Sequence, residues 1–195
     1  MKLRLFLIFW LVWPVQAKTI TPAAPEIAAI AYILIDADSG RVLTEHKADD
    51  KVPPASLTKI MTGYVLADKI NSGHFSRQDI VPVSRNAWAQ NPLFKESSLM
   101  FLEPEMKVSL SELEHGLVIS SGNDASVAVA EFLSGSEKIF SDEMNRHAKL
   151  LGLDSTNYVN SHGLPDPGHY TTARDLARLS VALMRNFPEH YSIYK

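Results

Sequence analysis

The sequence predicts an α+β domain, with a strand hairpin at its start followed by a run of helices. Three observations lead to this. Ala31-Tyr32-Ile33-Leu34-Ile35-Asp36 has the composition of a buried strand, and Arg41-Val42-Leu43-Thr44-Glu45 can return beside it after the turn signal Asp38-Ser39-Gly40. From Leu57 onward, apolar residues recur at helical spacing in successive segments. Strands do not alternate with those helices, which argues against a doubly wound parallel sheet. Two strands alone are marginal in water, so the hairpin must pack on further strands or on a helical layer.

Pro53-Pro54-Ala55 introduces the first helix. Its apolar stripe is Leu57, Ile60, Met61, Tyr64, Val65 and Ile70, and Asn71-Ser72-Gly73 ends it. The stretch 75–103 has little periodicity and reads as loops with short elements. Ser109-Leu110-Ser111-Glu112 is a capping box, and the helix after it is expected to bury Leu110, Leu113, Leu117 and Val118. A break at Ser120-Ser121-Gly122-Asn123 precedes a helix begun by Asp124, apolar through Val127, Val129, Phe132 and Leu133. The next helix spans Glu137 to Leu151 and stops at Gly152. A long loop rich in Asn, Gly and Pro covers 154–170. Thr172-Ala173-Arg174-Asp175 then restarts a helix, with Leu176, Leu179, Leu183 and Met184 on one face and Pro188 beyond it.

A chain of 195 residues with 46% hydrophobic and 21% charged residues can bury an ordinary core, in one domain or a little more. Its net charge of -3 and the lack of a Lys/Arg cluster exclude a nucleic-acid partner. It has no cysteine, hence no disulfide, no thiolate metal site and no lipid-modified cysteine. Its seven histidines show no tight pairing, and no metal site is expected. Lys2 and Arg4 precede an apolar run from Leu5 to Trp13, followed by Pro14 and Val15-Gln16-Ala17. That is the pattern of a signal peptide cut after Ala17, so the chain is expected to be exported. The run is about half of the roughly 20 apolar residues that a membrane span needs. Residues 18–30 form a lead-in to a domain over 31–195.

Two constellations could carry chemistry. Ser56-Leu57-Thr58-Lys59 places a hydroxyl and an amine one helical turn apart, on a shared face. Serine is a poor nucleophile until a base takes its proton, and lysine can be that base if burial or a nearby cation lowers its pKa. The positive end of the helix disfavours ammonium and favours a developing oxyanion. The pattern alone is weak, since Ser192-Ile193-Tyr194-Lys195 matches it too, and Ser56 could simply cap the helix beside a solvated Lys59. Ser121-Gly122-Asn123 offers a hydroxyl that can relay a proton and a carboxamide that can hold a substrate amide. Ser84-Arg85-Asn86 and Ser155-Thr156-Asn157 share that spacing, and the segment could equally be a helix-helix loop with Asp124 as N-cap.

Taken together, several segments resemble one family. Pro54-Ala55-Ser56-Leu57-Thr58-Lys59-Ile60-Met61-Thr62 looks like the active-site segment of the low-molecular-mass penicillin-binding proteins, the D-alanyl-D-alanine carboxypeptidases. Ser97-Ser98-Leu99-Met100-Phe101-Leu102, Ser120-Ser121-Gly122-Asn123-Asp124-Ala125 and Ser161-His162-Gly163-Leu164 match in order, as do Tyr32 to Asp36 and Tyr191 to Lys195. The resemblance covers nearly all of the chain after the signal peptide. It implies the β-lactamase/transpeptidase-like fold, a helical cluster on an antiparallel sheet. It also implies an exported, periplasmic serine enzyme without cofactor or metal. Ser56 would attack the bond between the terminal D-alanines of a peptidoglycan pentapeptide, with Lys59 as base and Ser121 as proton relay. Asn123, Ser98 and His162 would line the substrate site, although His162 could instead hold its own loop by a hydrogen bond. β-Lactam antibiotics would acylate Ser56.

The resemblance has one gap. The family's third motif, a basic residue followed by Thr or Ser and then Gly, has no counterpart here. Asp38-Ser39-Gly40 and Asn71-Ser72-Gly73 come nearest, and both lack the cation. In the family this motif, the strands that complete the sheet and a C-terminal membrane-associated helix lie further along the chain. The expectation is therefore a partial catalytic domain, truncated, with an open sheet edge, poor stability and little activity if it exists alone. The alternative is a non-catalytic remnant or pseudoenzyme that binds peptidoglycan without turning it over. A class A β-lactamase would carry Asp in place of Gly122 and a Glu-x-x-Leu-Asn segment, and neither is present.

Overall fold

The computed structural model describes residues 25–195; the expected signal peptide, 1–17, and the first part of the expected lead-in lie outside the described residues. Residues 25–30 carry no regular structure and are exposed. The hairpin forms where the strand compositions and the turn signal imply, though its strands are half-buried or exposed rather than buried. Strand β1 (Tyr32–Ile35) pairs antiparallel with β2 (Val42–His46), with Tyr32 opposite His46 and a register shift between Leu34 and Ile35. Its turn is held by the Asp36 carboxylate, which accepts from the Ser39 N–H at 2.8 Å, and by Gly40 at φ 72°, a left-handed conformation that glycine adopts without strain. Among the described residues the sheet is these two strands alone. One face of β1 lies on the last long helix, and Leu34 and Leu43 stay exposed on the hairpin.

The helices fall close to their expected places. Helix α1 (Thr58–Asn71) ends at Ser72 and Gly73, and α2 (Leu110–Val118) opens with the full capping box between Ser109 and Glu112. Then come α3 (Asn123–Ser134), α4 (Glu137–Leu150), α5 (Ala173–Asn186) and a single turn, α6 (Pro188–Tyr191). Three expectations need correction. Residues 55–57 form a turn of 3-10 helix before α1, which rotates Leu57 out of the apolar stripe and leaves it 52% exposed. Gly122, not Asp124, occupies the cap position of α3, because the Asp124 side chain turns away to bind a neighbouring loop. A second strand pair, β3 (Ile80–Pro82) with β4 (Lys107–Ser109), crosses the region read as loops and the start of the capping box. Each of these strands has three residues, too few to show a period of two.

Helix α3 is the centre of the fold. It packs against α1, α2, α4 and β3, and its small residues Ala125, Ala128 and Ala130 let those neighbours approach closely. Around it lie Met61, Leu110, Leu113, Phe140, Met144 and Leu179, all fully buried. Each such side chain contributes roughly 1.5–3 kcal/mol by leaving water. This packing fixes the starts of α1 and α3 side by side, and that junction builds the site.

Candidate active site

Pro53 and Pro54 lead the chain into α1, and Ala55 follows in the left-handed region at φ 48°. The Ala55 carbonyl lies against Gly163, where a Cβ would fall 1.9 Å from the oxygen, so only glycine fits there; its φ of 91° demands glycine as well. The 3-10 turn then leaves Ser56 exposed and carries Lys59 inward, to 5% exposure.

The Lys59 amine has three neighbours. It donates to Asn123 Oδ1 at 2.7 Å and to the His162 carbonyl at 2.9 Å, and it stands 3.4 Å from Ser56 Oγ. Burial draws its pKa down from 10.5 to about 8, against the opposing pull of the Asp124 carboxylate. A neutral amine has two N–H groups and one lone pair. With the two N–H groups directed to Asn123 and His162, the lone pair is left for the Ser56 hydroxyl.

Asp124 anchors the arrangement from behind. It is fully buried, and its two oxygens accept from the N–H groups of Met100 at 2.8 Å and Leu102 at 2.9 Å, drawing the 98–102 loop against α3. That loop returns a bond, with the Asn123 N–H donating to the Ser98 carbonyl at 2.9 Å. The 152–172 loop is strapped to the other side of α1. Thr62 Oγ donates to the Ser161 carbonyl at 2.6 Å, and His169 Nε2 meets Thr58 Oγ1 at 2.7 Å. His169 Nδ1 accepts from the Val159 N–H, so Nε2 carries the proton, and burial holds the ring neutral with a pKa near 4.

Two open cavities meet at Ser56. One of about 520 Å³ is lined by Ser56, Ser98, Asn123, His162 and His169, the other of about 540 Å³ by Ser56, Lys59, Ile60, Ser121 and Tyr194. The structure thus brings all six expected site residues to one place, though in unequal positions. Ser121 is held at φ 52° on the wall of the second cavity and bonds neither Ser56 nor Lys59 among the described residues. Ser98 is exposed on the wall of the first cavity. The His162 ring holds its own loop, with Nδ1 accepting from the Leu164 N–H at 3.0 Å and Nε2 facing Glu137 Oε1 at 3.4 Å, and it also lines the first cavity. Thr62 and Asp124 lie within motif segments but without a site role read from them, and neither Glu137 nor His169 belongs to a motif; their partners lie well away along the chain. Among the described residues no group of His, Asp or Glu is placed to hold a metal ion, and no helix is long and apolar enough to cross a membrane.

A helical cluster on a short antiparallel sheet, with a serine and a buried lysine one turn apart, is the transpeptidase-like fold of penicillin-binding proteins. Residues 18–195 match the D-alanyl-D-alanine carboxypeptidase family model, and the chain belongs to that family. It is 49% identical over 179 residues to the D-alanyl-D-alanine carboxypeptidase DacA of Escherichia coli strain K12, an alignment covering 91% of this chain and 44% of the relative. Penicillin-binding protein 5 of Haemophilus influenzae superposes with a TM-score of 0.86 at 40% identity, over 89% of this chain and 50% of the other. Penicillin-binding protein 6B of Escherichia coli gives 0.85 at 44% identity, over 90% and 56%. The chain thus spans about half the length of these relatives, and both the family and the fold expected from its motifs hold.

Proposed function

We propose that residues 31–195 carry the nucleophile side of a serine-type D-alanyl-D-alanine carboxypeptidase site, acting on peptidoglycan stem peptides through an acyl-enzyme on Ser56. The observation that supports this most is the Lys59 amine, whose pKa burial lowers to about 8, standing 3.4 Å from a serine hydroxyl that opens onto two cavities. Lys59 takes the Ser56 proton as Oγ bonds to the carbonyl carbon of the penultimate D-alanine. The carbonyl oxygen becomes an oxyanion beside the Ser56 N–H, since the N–H groups of Leu57 and Thr58 already donate to the carbonyls of Pro54 and Ala55. The carbon–nitrogen bond then breaks, and the departing D-alanine amine takes a proton from Lys59 by way of the Ser121 hydroxyl. Water hydrolyses the ester and regenerates Ser56. A β-lactam enters the same first step, but its amine stays tethered after the ring opens. Asn123, already bonded to Lys59 through Oδ1, has its amide nitrogen left for substrate. The signal pattern at residues 1–17 supports a periplasmic site of action.

A second reading is binding without turnover. It is favoured by the cavity walls, where Lys59 is the only Lys or Arg among the described residues, so a substrate carboxylate meets no second cation. Incubation with a peptide ending in D-Ala-D-Ala separates the two. Release of D-alanine that Ser56→Ala abolishes is the outcome for catalysis. Saturable binding of the peptide with no release, equal in wild type and Ser56→Ala, would replace it with the binding reading.

A further inference from the structure

The Lys59 amine is held by a carbonyl that sits on a loop, and a loop carbonyl is only as fixed as the groups behind it. Behind His162 stands Glu137, the first residue of α4. Its Oε1 accepts from the Ser161 N–H at 3.0 Å and from Ser161 Oγ at 2.7 Å, and it faces His162 Nε2 at 3.4 Å. Ser161 is fully buried, so both of its donors depend on that one oxygen. The other bonds at this turn are internal to the loop, apart from one that α1 makes to the Ser161 carbonyl. Gly163 N–H donates to Asn160 Oδ1, Leu164 N–H to His162 Nδ1, and Thr62 holds the Ser161 carbonyl.

We infer that Glu137 is a positioning residue for Lys59: its carboxylate pins the Ser161–His162 backbone and so keeps the His162 carbonyl on the Lys59 amine. This rests on the reading of Lys59 as the base for Ser56. Glu137 acts through geometry rather than through its charge. The charges that face Lys59 are Asp124 from α3 and the His162 ring from the loop, while Glu137 faces His162 and, more remotely, His169. Removing the acceptor strands two buried donors, and the loop must then shift or admit water. Either change lets water reach Lys59 and weakens the desolvation that lowers its pKa. Glutamine keeps an oxygen in the same place, so Glu137→Gln should preserve what Glu137→Ala destroys.

The test measures the titration of Lys59 by NMR of labelled lysine side chains in the folded 195-residue chain. Fluorescent-penicillin labelling of the same three proteins is followed separately. Wild type and Glu137→Gln are expected to titrate alike, near 8, and Glu137→Ala clearly higher, toward the ordinary 10.5. If all three labels are slow or absent while Glu137→Ala alone shifts Lys59, the positioning role stands and the acyl-transfer reading falls. An unshifted Lys59 in folded Glu137→Ala overturns the positioning role, as does a shift in Glu137→Gln equal to that in Glu137→Ala. Should Glu137→Ala fail to fold, Glu137→Leu and Glu137→Gln give the same contrast between a lost and a kept acceptor.

Discussion

Two regions of the molecule, the α1–α3 junction that carries the site and the hairpin that lies on α5, are held by different kinds of contact. At the α1–α3 junction, polar groups are bonded to one another across long stretches of sequence: Lys59 to Asn123 and His162, Thr62 to Ser161, Asp124 to Met100 and Leu102. At the hairpin, β1 and β2 leave an open space of about 540 Å³ against α5, walled by Ile33, Ile35, Val42 and Val181. Surface arginines hold its edges. Arg185 donates to the carbonyl of Asp38, and Arg174 bonds Glu45 and Asp49. The site side cannot give up one partner without stranding another in the dry interior, whereas the hairpin can shift and let water take over. Local opening is therefore expected to cost least at β1 and β2.

The sharpest way to break this contrast is Asp124→Ala. It removes the acceptor of the half-buried Met100 N–H and the buried Leu102 N–H together, and leaving such donors unmet costs about 1–3 kcal/mol each. Urea unfolding should show a loss of about 3 kcal/mol or more. A loss below about 1 kcal/mol would mean that the 98–102 loop is not held as described.

Acid should be the next largest effect. His169 is neutral in the fold with a pKa near 4 against an ordinary 6.5, because burial penalises its charged form. His147 and His162 are lowered for the same leading reason. Between 6.5 and 4 the unfolded chain binds the proton that folded His169 refuses, so stability falls as pH drops through that window. Lys59 has the same sign at the alkaline end: between about 8 and 10.5 the unfolded chain alone holds the proton, and stability rises with pH there. Thermal unfolding followed across both windows measures the two slopes, and a stability flat from 6.5 to 4 would contradict the buried-histidine account.

The hairpin should show the smallest change. Leu43→Thr replaces an exposed leucine with a residue that also suits a strand, and is expected to stay within about 0.5 kcal/mol of wild type. Amide exchange should be fastest in β1 and β2 and slowest in α3, and the reverse order would remove the distinction between the two sides.

The two sides also differed in how legible they were. Local signals found the hairpin, the capping box at Ser109 and the helix ends at Gly73 and Gly152, because each depends on residues a few positions apart. The pair Ser56 and Lys59 was visible for the same reason. What sequence could not supply were bonds such as Lys59 to the His162 carbonyl, 103 residues apart, which involves a backbone atom and leaves no mark on residue choice. Glu137 was read only as the start of a helix, and its second task, holding Ser161, appears only when α4 is packed against the loop. Leu57 was misplaced because a 3-10 turn advances side chains by a different angle from the α-helix that the stripe assumed.

The central claim, that burial makes the Lys59 amine the base for Ser56, is tested most directly by mass mapping of benzylpenicillin-treated protein as a function of pH. The account requires a single adduct on Ser56, absent in Ser56→Ala, that forms faster as pH rises through about 8. An adduct at another residue, no adduct at all, or a rate on Ser56 indifferent to pH around that value would contradict it.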